Sequence, residues 1–475
     1  VRSLLLATLL THLIGGSPDS PPQLIVGVDT RVELLSIVFR LAGAPEYVNN
    51  DLAGYAAAVD QHFAAHRDHP VVRQARALRA TLGISHDAVM MMATHLDALP
   101  GLAERVAFDD TTIVLHQRWR PAQAKAFAAA LRQFVVDAEV ERFFAQQQPF
   151  YRATSRRLQD LVQRSIEPQW FEAFFGAGAG DRFILVPGLL NGGGSFGPRV
   201  APHNGPEELW AIIGTWSHDS TGTPTFPASR AYTIAHEFAH SFVNPVIAKH
   251  RKKFEEFATG CEAVADLMAP QAYRCWKTVV DESVVRATSV AWARANLPEA
   301  EARQAEQTEL GRGFFWTAEL ADSLVAWRAS RPMGASWEAD ADRLGRWFVA
   351  LGERIPGMRA TYDANRPKVV STSIPDAATD VDPATALLVV TFDRPMVRGW
   401  SIEAVQGTAG VLSVPAFRAP RMSPDSLRFE VEMELTPGTE YGFALNGPFG
   451  GGFRSAEGAP LAQTRLRFRT AASAQ

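Results

Sequence analysis

Residues 231–245 read AYTIAHEFAHSFVNP and contain His236-Glu237-Phe238-Ala239-His240, a match to H-E-x-x-H. On an α-helix, residues four apart lie one turn up on nearly the same face, so two imidazoles at this spacing can grip one metal ion. Glu237 is one step round from His236 and can reach a water held on the open side of that metal, where a general base belongs. In a chain with 12 His, five letters can arise by accident, so the surroundings decide. They favour a helix. Pro227 and Ser229 precede the stretch, with Ser229 as N-cap, and Asn244-Pro245 ends it, because the residue before proline is pushed out of the helical region. Ile234, Phe238, Ser241 and Phe242 recur at helical spacing and supply a face to bury. The competing reading is a buried helix with two incidental histidines, each of which would then need a buried partner.

Upstream, LIVGVDT reads as a short strand and RVELLSIVFRLAG as an amphipathic helix ending at Gly43. Residues 51–98 are strongly helical. His62 and His66 there repeat the four-residue spacing without a carboxylate between them, and a solvated helix face accounts for them and for His69. TTIVLHQRW reads as a strand, and residues 120–150 as one long helix starting at Pro121. Two apolar, β-branched runs, 182–190 and 209–215, read as strands joined by the Gly-rich NGGGSFGPRV. GGGSFG has no following lysine and opens no helix, so a turn explains it better than a phosphate loop. A small sheet before an H-E-x-x-H helix is, by analogy with zinc peptidases, a place for a substrate backbone to add as a strand.

A zinc site of this kind needs one more protein ligand and keeps its fourth position for water. SFVNPV follows His240 with no Gly-x-x-His, and His250 stands in a basic run, so a carboxylate is favoured. Two compete. Glu262 sits in CEAVAD, similar to the E-A-x-x-D helix of thermolysin-type peptidases, and Glu282 sits in DESVVRA with Arg286 one turn on to orient it. The chemistry of the residues leaves both open. Helices are expected over 247–269, 273–295 and 298–328.

HEFAHSFVNP, followed by QAYRCW and ESVVRA, resembles a bacterial exported family catalogued as a domain of unknown function and regarded as gluzincin-like metallopeptidases. RVELLSIVFRLAG with Glu46-Tyr47 is similar to its N-terminal part, and the resemblance covers residues 24–360. It implies a mostly helical, zincin-like catalytic domain with a small β-sheet, Zn²⁺ as cofactor, and Glu282 rather than Glu262 as third ligand beside His236 and His240. Tyr273 or Arg286 would bind the substrate carbonyl or the oxyanion. From Arg366 the composition shifts to short β-branched runs between Pro, Asp and Thr. Pro375, Asp380, Val381, Phe392, Pro395 and Met396 resemble the first strands of a bacterial Ig-like domain, which implies an all-β sandwich over 366–472. Such a domain would space the catalytic part or touch polysaccharide or the cell envelope.

The expected fold class is therefore α+β. A net charge of −4 gives no argument for nucleic acid or an anionic membrane surface. Cys261 and Cys275, 14 residues apart, read as free thiols. Residues 1–17 read as a signal peptide, with Arg2 and the apolar SLLLATLLTHLIGG, so export to the periplasm or medium is expected; no later stretch is long and apolar enough to span a membrane. The expected activity is zinc-dependent hydrolysis of peptide bonds, with Glu237 acting on the water. A non-catalytic envelope protein with a structural or vestigial metal site is the alternative, against which Glu237 argues, since a structural site needs no general base.

Overall fold

The computed structural model describes residues 22–48, 52–110, 115–176, 182–202, 205–332, 334–397, 399–407, 410–447 and 452–472. The expected signal segment and residues 111–114 of the expected strand in TTIVLHQRW lie outside them. The chain divides into two compact units, Val1–Pro245 with Arg331–Trp337, and Val246–Ser330 with Glu338–Gln475.

In the first unit, β1 (Gln23–Val26) leads into helices α1 (Thr30–Leu41), α2 (Pro45–Val48), α3 (Ala53–His62), α4 (Pro70–Leu82), α5 (Asp87–Thr94), α6 (Pro121–Asp137), α7 (Val140–Ser165) and α8 (Pro168–Phe175). Strands β2 (Arg182–Gly188), β3 (Arg199–Val200) and β4 (Glu208–Gly214) precede α9 (Arg230–Lys249). The sheet order is β1-β2-β4-β3, with β1, β2 and β4 parallel and β3 antiparallel at the edge. Val186, Trp210 and Ile212 project from one face into the core made with α1 and α4–α7. Phe183 projects from the other face onto Phe238 of α9, with ring centroids 5.1 Å apart. The sheet is thus covered on both faces, which is why β2 and β4 read as continuous apolar runs.

Several local expectations are corrected. The helix expected over 120–150 is two, parted at Glu139, whose φ of 47° is left-handed, and α7 carries Pro149 inside it. Beyond residue 114, no strand forms from TTIVLHQRW: the His116 ring accepts from the Arg118 N–H at 3.1 Å and closes a turn. His62 is not on a solvated face; its ring packs on Phe63 and Phe143 and meets the Ala138 carbonyl at 3.1 Å. Finally, α9 does not stop at Asn244 but runs through Pro245 to Lys249. Proline deprives the carbonyl four residues back of its N–H partner, and Arg199 Nη1 replaces it, donating to Ser241 O at 2.9 Å.

Glu33 on α1 is fully buried. It accepts from the Leu189 N–H at 3.0 Å and from the Tyr55 hydroxyl at 2.8 Å, and Tyr55 in turn meets the Tyr151 hydroxyl at 2.7 Å. Burial pushes its carboxyl up to about 8, against the lowering effect of those two hydrogen bonds. The folded chain therefore holds this proton where the unfolded chain has lost it. The stability contributed is complete below the ordinary value of 4.5 and is lost as pH rises towards about 8. Glu33→Gln keeps the shape and removes the charge, so denaturant unfolding from pH 5 to 8 should show the parent losing stability relative to the variant, by at most about 1.4 kcal/mol per pH unit. Parallel profiles would mean that Glu33 is ionised in the fold.

The second unit contains short helices α10 (Phe257–Cys261) and α11 (Ala265–Met268), then α12 (Trp276–Asn296), α13 (Glu299–Gly311), α14 (Thr317–Ser330) and α15 (Ala341–Asn365). The expected helix over 247–269 is thus broken into short turns, and that over 298–328 is two helices. Strands follow: β5 (Val369–Thr372), β6 (Ala378–Val381), β7 (Leu387–Phe392), β8 (Ile402–Ala404), β9 (Gln406–Gly407), β10 (Gly410–Val411), β11 (Ala416–Met422), β12 (Arg428–Glu434), β13 (Glu440–Leu445) and β14 (Thr464–Thr470). They form two four-stranded sheets, β11-β12-β7-β5 and β6-β14-β13-β8, with β9 and β10 paired as a small ribbon. Leu388, Val390 and Val431 of one sheet share a core with Phe443, Leu466 and Phe468 of the other. The architecture is α+β, helical first and strand-rich at the C-terminal end, and no helix among the described residues is long and apolar enough to cross a membrane.

Candidate metal centre

The helix α9 is fixed by its aromatic side. Phe238 and Phe242, one turn apart, pack on Phe171, Phe175 and Phe183, with Phe175 stacked on Phe242 at 4.6 Å. Two residues along a helix are about 200° around it, so anchoring 238 and 242 to the sheet turns 236 and 240 away from it. The edge segment before β3 closes on the same helix. Phe196 exchanges two 2.8 Å backbone hydrogen bonds with Ile212, and a side chain at Gly197 would meet the Glu237 carbonyl oxygen at 2.1 Å. Glycine is needed there for close approach, in a loop that reads from sequence only as a turn.

His236 Nε2 and His240 Nε2 face each other at 3.2 Å. Two imidazoles bound at about 2.0–2.1 Å to one tetrahedral Zn²⁺ would hold their nitrogens ~3.3–3.4 Å apart, so the pair is already at chelating distance. His240 Nδ1 lies 3.2 Å from Asn244 Oδ1. That oxygen only accepts, so a hydrogen bond between them needs the proton on Nδ1, which leaves the Nε2 lone pair open, the tautomer suited to binding a metal through Nε2. Asn244 thus orients the His240 ring, where its place before proline suggested only a helix stop. Glu237, 6% exposed, follows His236 one step round the helix.

On α12, Glu282 is 9% exposed, in a helix buried along most of its length. Arg286 Nη2 lies 3.0 Å from Glu282 Oε2 and donates to the Tyr273 hydroxyl at 2.9 Å, while Nη1 donates to Glu309 Oε2 at 2.6 Å. Its guanidinium stacks over the Phe314 ring, 4.6 Å from the centroid. Burial opposes the charge on Arg286, but the carboxylates of Glu309 and Glu282 outweigh it and hold its pKa well above the ordinary value. Tyr273 precedes the helix, which starts at Trp276 and not at 273; burial, then the charge of Glu282, pushes its phenol up to about 12.

One ligand atom from each of His236, His240 and Glu282 lies within 4.8 Å of the other two, the one such group of His, Cys, Asp or Glu among the described residues. Glu262 is outside it and exposed, in a single turn between α10 and α11. His250 is also outside it, paired with Glu338 at 2.8 Å. Cys261 is buried and Cys275 exposed, both free thiols. The residue that sequence reasoning missed altogether is Glu309. Its one signal is position: Ala302, Ala305 and Glu309 fall at helical spacing on one buried stripe of α13, where a third apolar residue would be expected.

An α+β chain with two histidines and a glutamate so grouped has the makings of a metal centre. The sequence profile of the family described as "Domain of unknown function (DUF4932)" matches residues 24–338, more than half of the chain, and the chain belongs to that family. No curated protein and no solved structure matches it significantly.

Proposed function

We propose that this protein is a zinc-dependent peptidase of the gluzincin type, with His236, His240 and Glu282 as ligands and Glu237 as general base. The observation that carries the reading is the 3.2 Å separation of the two Nε2 atoms on a helix whose Glu237 is buried beside them. Two imidazoles and one carboxylate suit a four-coordinate zinc site with an open position. A zinc ion held by these three residues would supply a Lewis acid for the scissile carbonyl and for water.

The chain's own groups supply the rest. Glu237 takes a proton from the attacking water and passes it to the leaving amine. Arg286 steadies Glu282 through Oε2. Tyr273 accepts from Arg286, so its phenolic proton is left to donate to the carbonyl oxygen as negative charge develops on it. A pKa near 12 keeps that proton in place at neutral pH. The edge segment 196–200, antiparallel to β4 and in contact with α9 at Gly197, offers a backbone for an extended peptide to pair with. The two C-terminal sheets are read as an Ig-like module that spaces the enzyme or contacts polysaccharide or the envelope, and residues 1–17 as its export signal.

The test is metal dependence. The purified protein, offered a quenched-fluorescent peptide library, should cleave a subset, lose that activity on chelation and regain it with one equivalent of zinc. Cleavage that persists in demonstrably metal-free protein, or no cleavage by zinc-loaded protein, would overturn the proposal.

A further inference from the structure

The deepest charged group of the second unit lies one step behind the proposed ligand. Glu309, on α13, is 0% exposed. Its Oε2 accepts from Arg286 Nη1 at 2.6 Å and its Oε1 from Arg312 Nη1 at 3.0 Å. A carboxylate so enclosed is retained only if it is paired, and here both oxygens are. The chain of charges runs Arg312, Glu309, Arg286, Glu282, alternating in sign, and only Arg312 reaches solvent appreciably.

Arg286 alone would be a poor neighbour for a metal ligand. Its whole positive charge, in a low-dielectric surrounding, would fall on Glu282 and compete with a cation for that carboxylate. Glu309 shares the charge from the opposite side. It also fixes direction: with Nη1 held by Glu309 and the plane stacked on Phe314, Nη2 is aimed at Tyr273 and Glu282.

We infer that Glu309 is a positioning residue of the metal site, which sets zinc affinity through Arg286 without touching the metal. The inference rests on the zinc reading above. Partners behind a ligand typically change metal affinity by about 10–100-fold. Zinc dissociation constants, measured by competition with a chromophoric chelator, are therefore compared for the parent, Glu309→Gln, Arg286→Gln and the double variant. Melting of each metal-free protein reports on the fold.

The expected result is a loss of about 10–100-fold for Glu309→Gln in the parent and little further loss in the Arg286→Gln background. Unchanged affinity in folded Glu309→Gln overturns the inference, and so does an equal loss in both backgrounds, which would mean that Glu309 does not act through Arg286. Should Glu309→Gln fail to fold, Glu309→Asp keeps the charge but withdraws it by one methylene; a partial loss supports the assignment and no change overturns it. A parent that binds no zinc would defeat the metal reading itself, a result separate from any difference between variants.

Discussion

Replacing Glu237 by glutamine is expected to lower peptide cleavage by about 10²–10⁴-fold, the range for losing a general acid–base group, while zinc content stays at the parent's level. Glutamine has the same shape and keeps hydrogen-bonding capacity, but its amide cannot take a proton from water. Glu237 is outside the group formed by His236, His240 and Glu282, so the substitution leaves the proposed ligands intact. It should also leave the anchoring of α9 unchanged, since that rests on Phe238 and Phe242 against Phe171, Phe175 and Phe183. The check is turnover of a library peptide cleaved by the parent, beside metal analysis of the same preparation. Full activity in the variant would remove Glu237 from the reaction. Loss of zinc with loss of activity would make it a ligand or a structural support.

The second large effect concerns the proposed third ligand, Glu282. Glu282→Gln should weaken zinc binding by more than about 100-fold, because losing a ligand exceeds the 10–100-fold typical of a partner behind one. It also leaves Arg286 facing a neutral amide, so the parent and variant should be compared in their metal-free state to separate folding from binding. Glu262→Gln is the internal control, since Glu262 is exposed and stands apart from the histidines. Its zinc affinity should equal the parent's. The reverse pattern, loss with Glu262→Gln and none with Glu282→Gln, would require a different site.

How much of this was legible in the residues depends on the range of the interactions. The helix around HEFAH, the two strands expected over 182–190 and 209–215 and found at 182–188 and 208–214, and the strand-rich C-terminal end are visible because local periodicity and apolar runs report burial directly, whereas the parallel pairing of those strands is not. The end of α9 was misplaced because the rule about proline is local, whereas Arg199 satisfies the Ser241 carbonyl from 42 residues away. Asn244 was misread for the same reason: its tie to His240 requires the helix to continue that far. The choice between Glu262 and Glu282 had no local answer, as both sit in plausible helical frames. Glu309 was invisible because a glutamate in an Ala-, Glu- and Gln-rich helix looks solvated until Arg286, 23 residues earlier, is found against it. Buried ion pairs of this kind are long-range facts, and composition points away from them.

The central claim is that this chain holds one zinc ion between His236, His240 and Glu282. The most direct measurement is the zinc bound per folded chain, by equilibrium titration of the metal-free protein. One equivalent of tightly bound zinc in the parent, abolished in His236→Ala, His240→Ala and Glu282→Gln but kept in Glu262→Gln, is the expected result. A folded parent that binds no zinc, or binds it equally well without these side chains, would contradict the account.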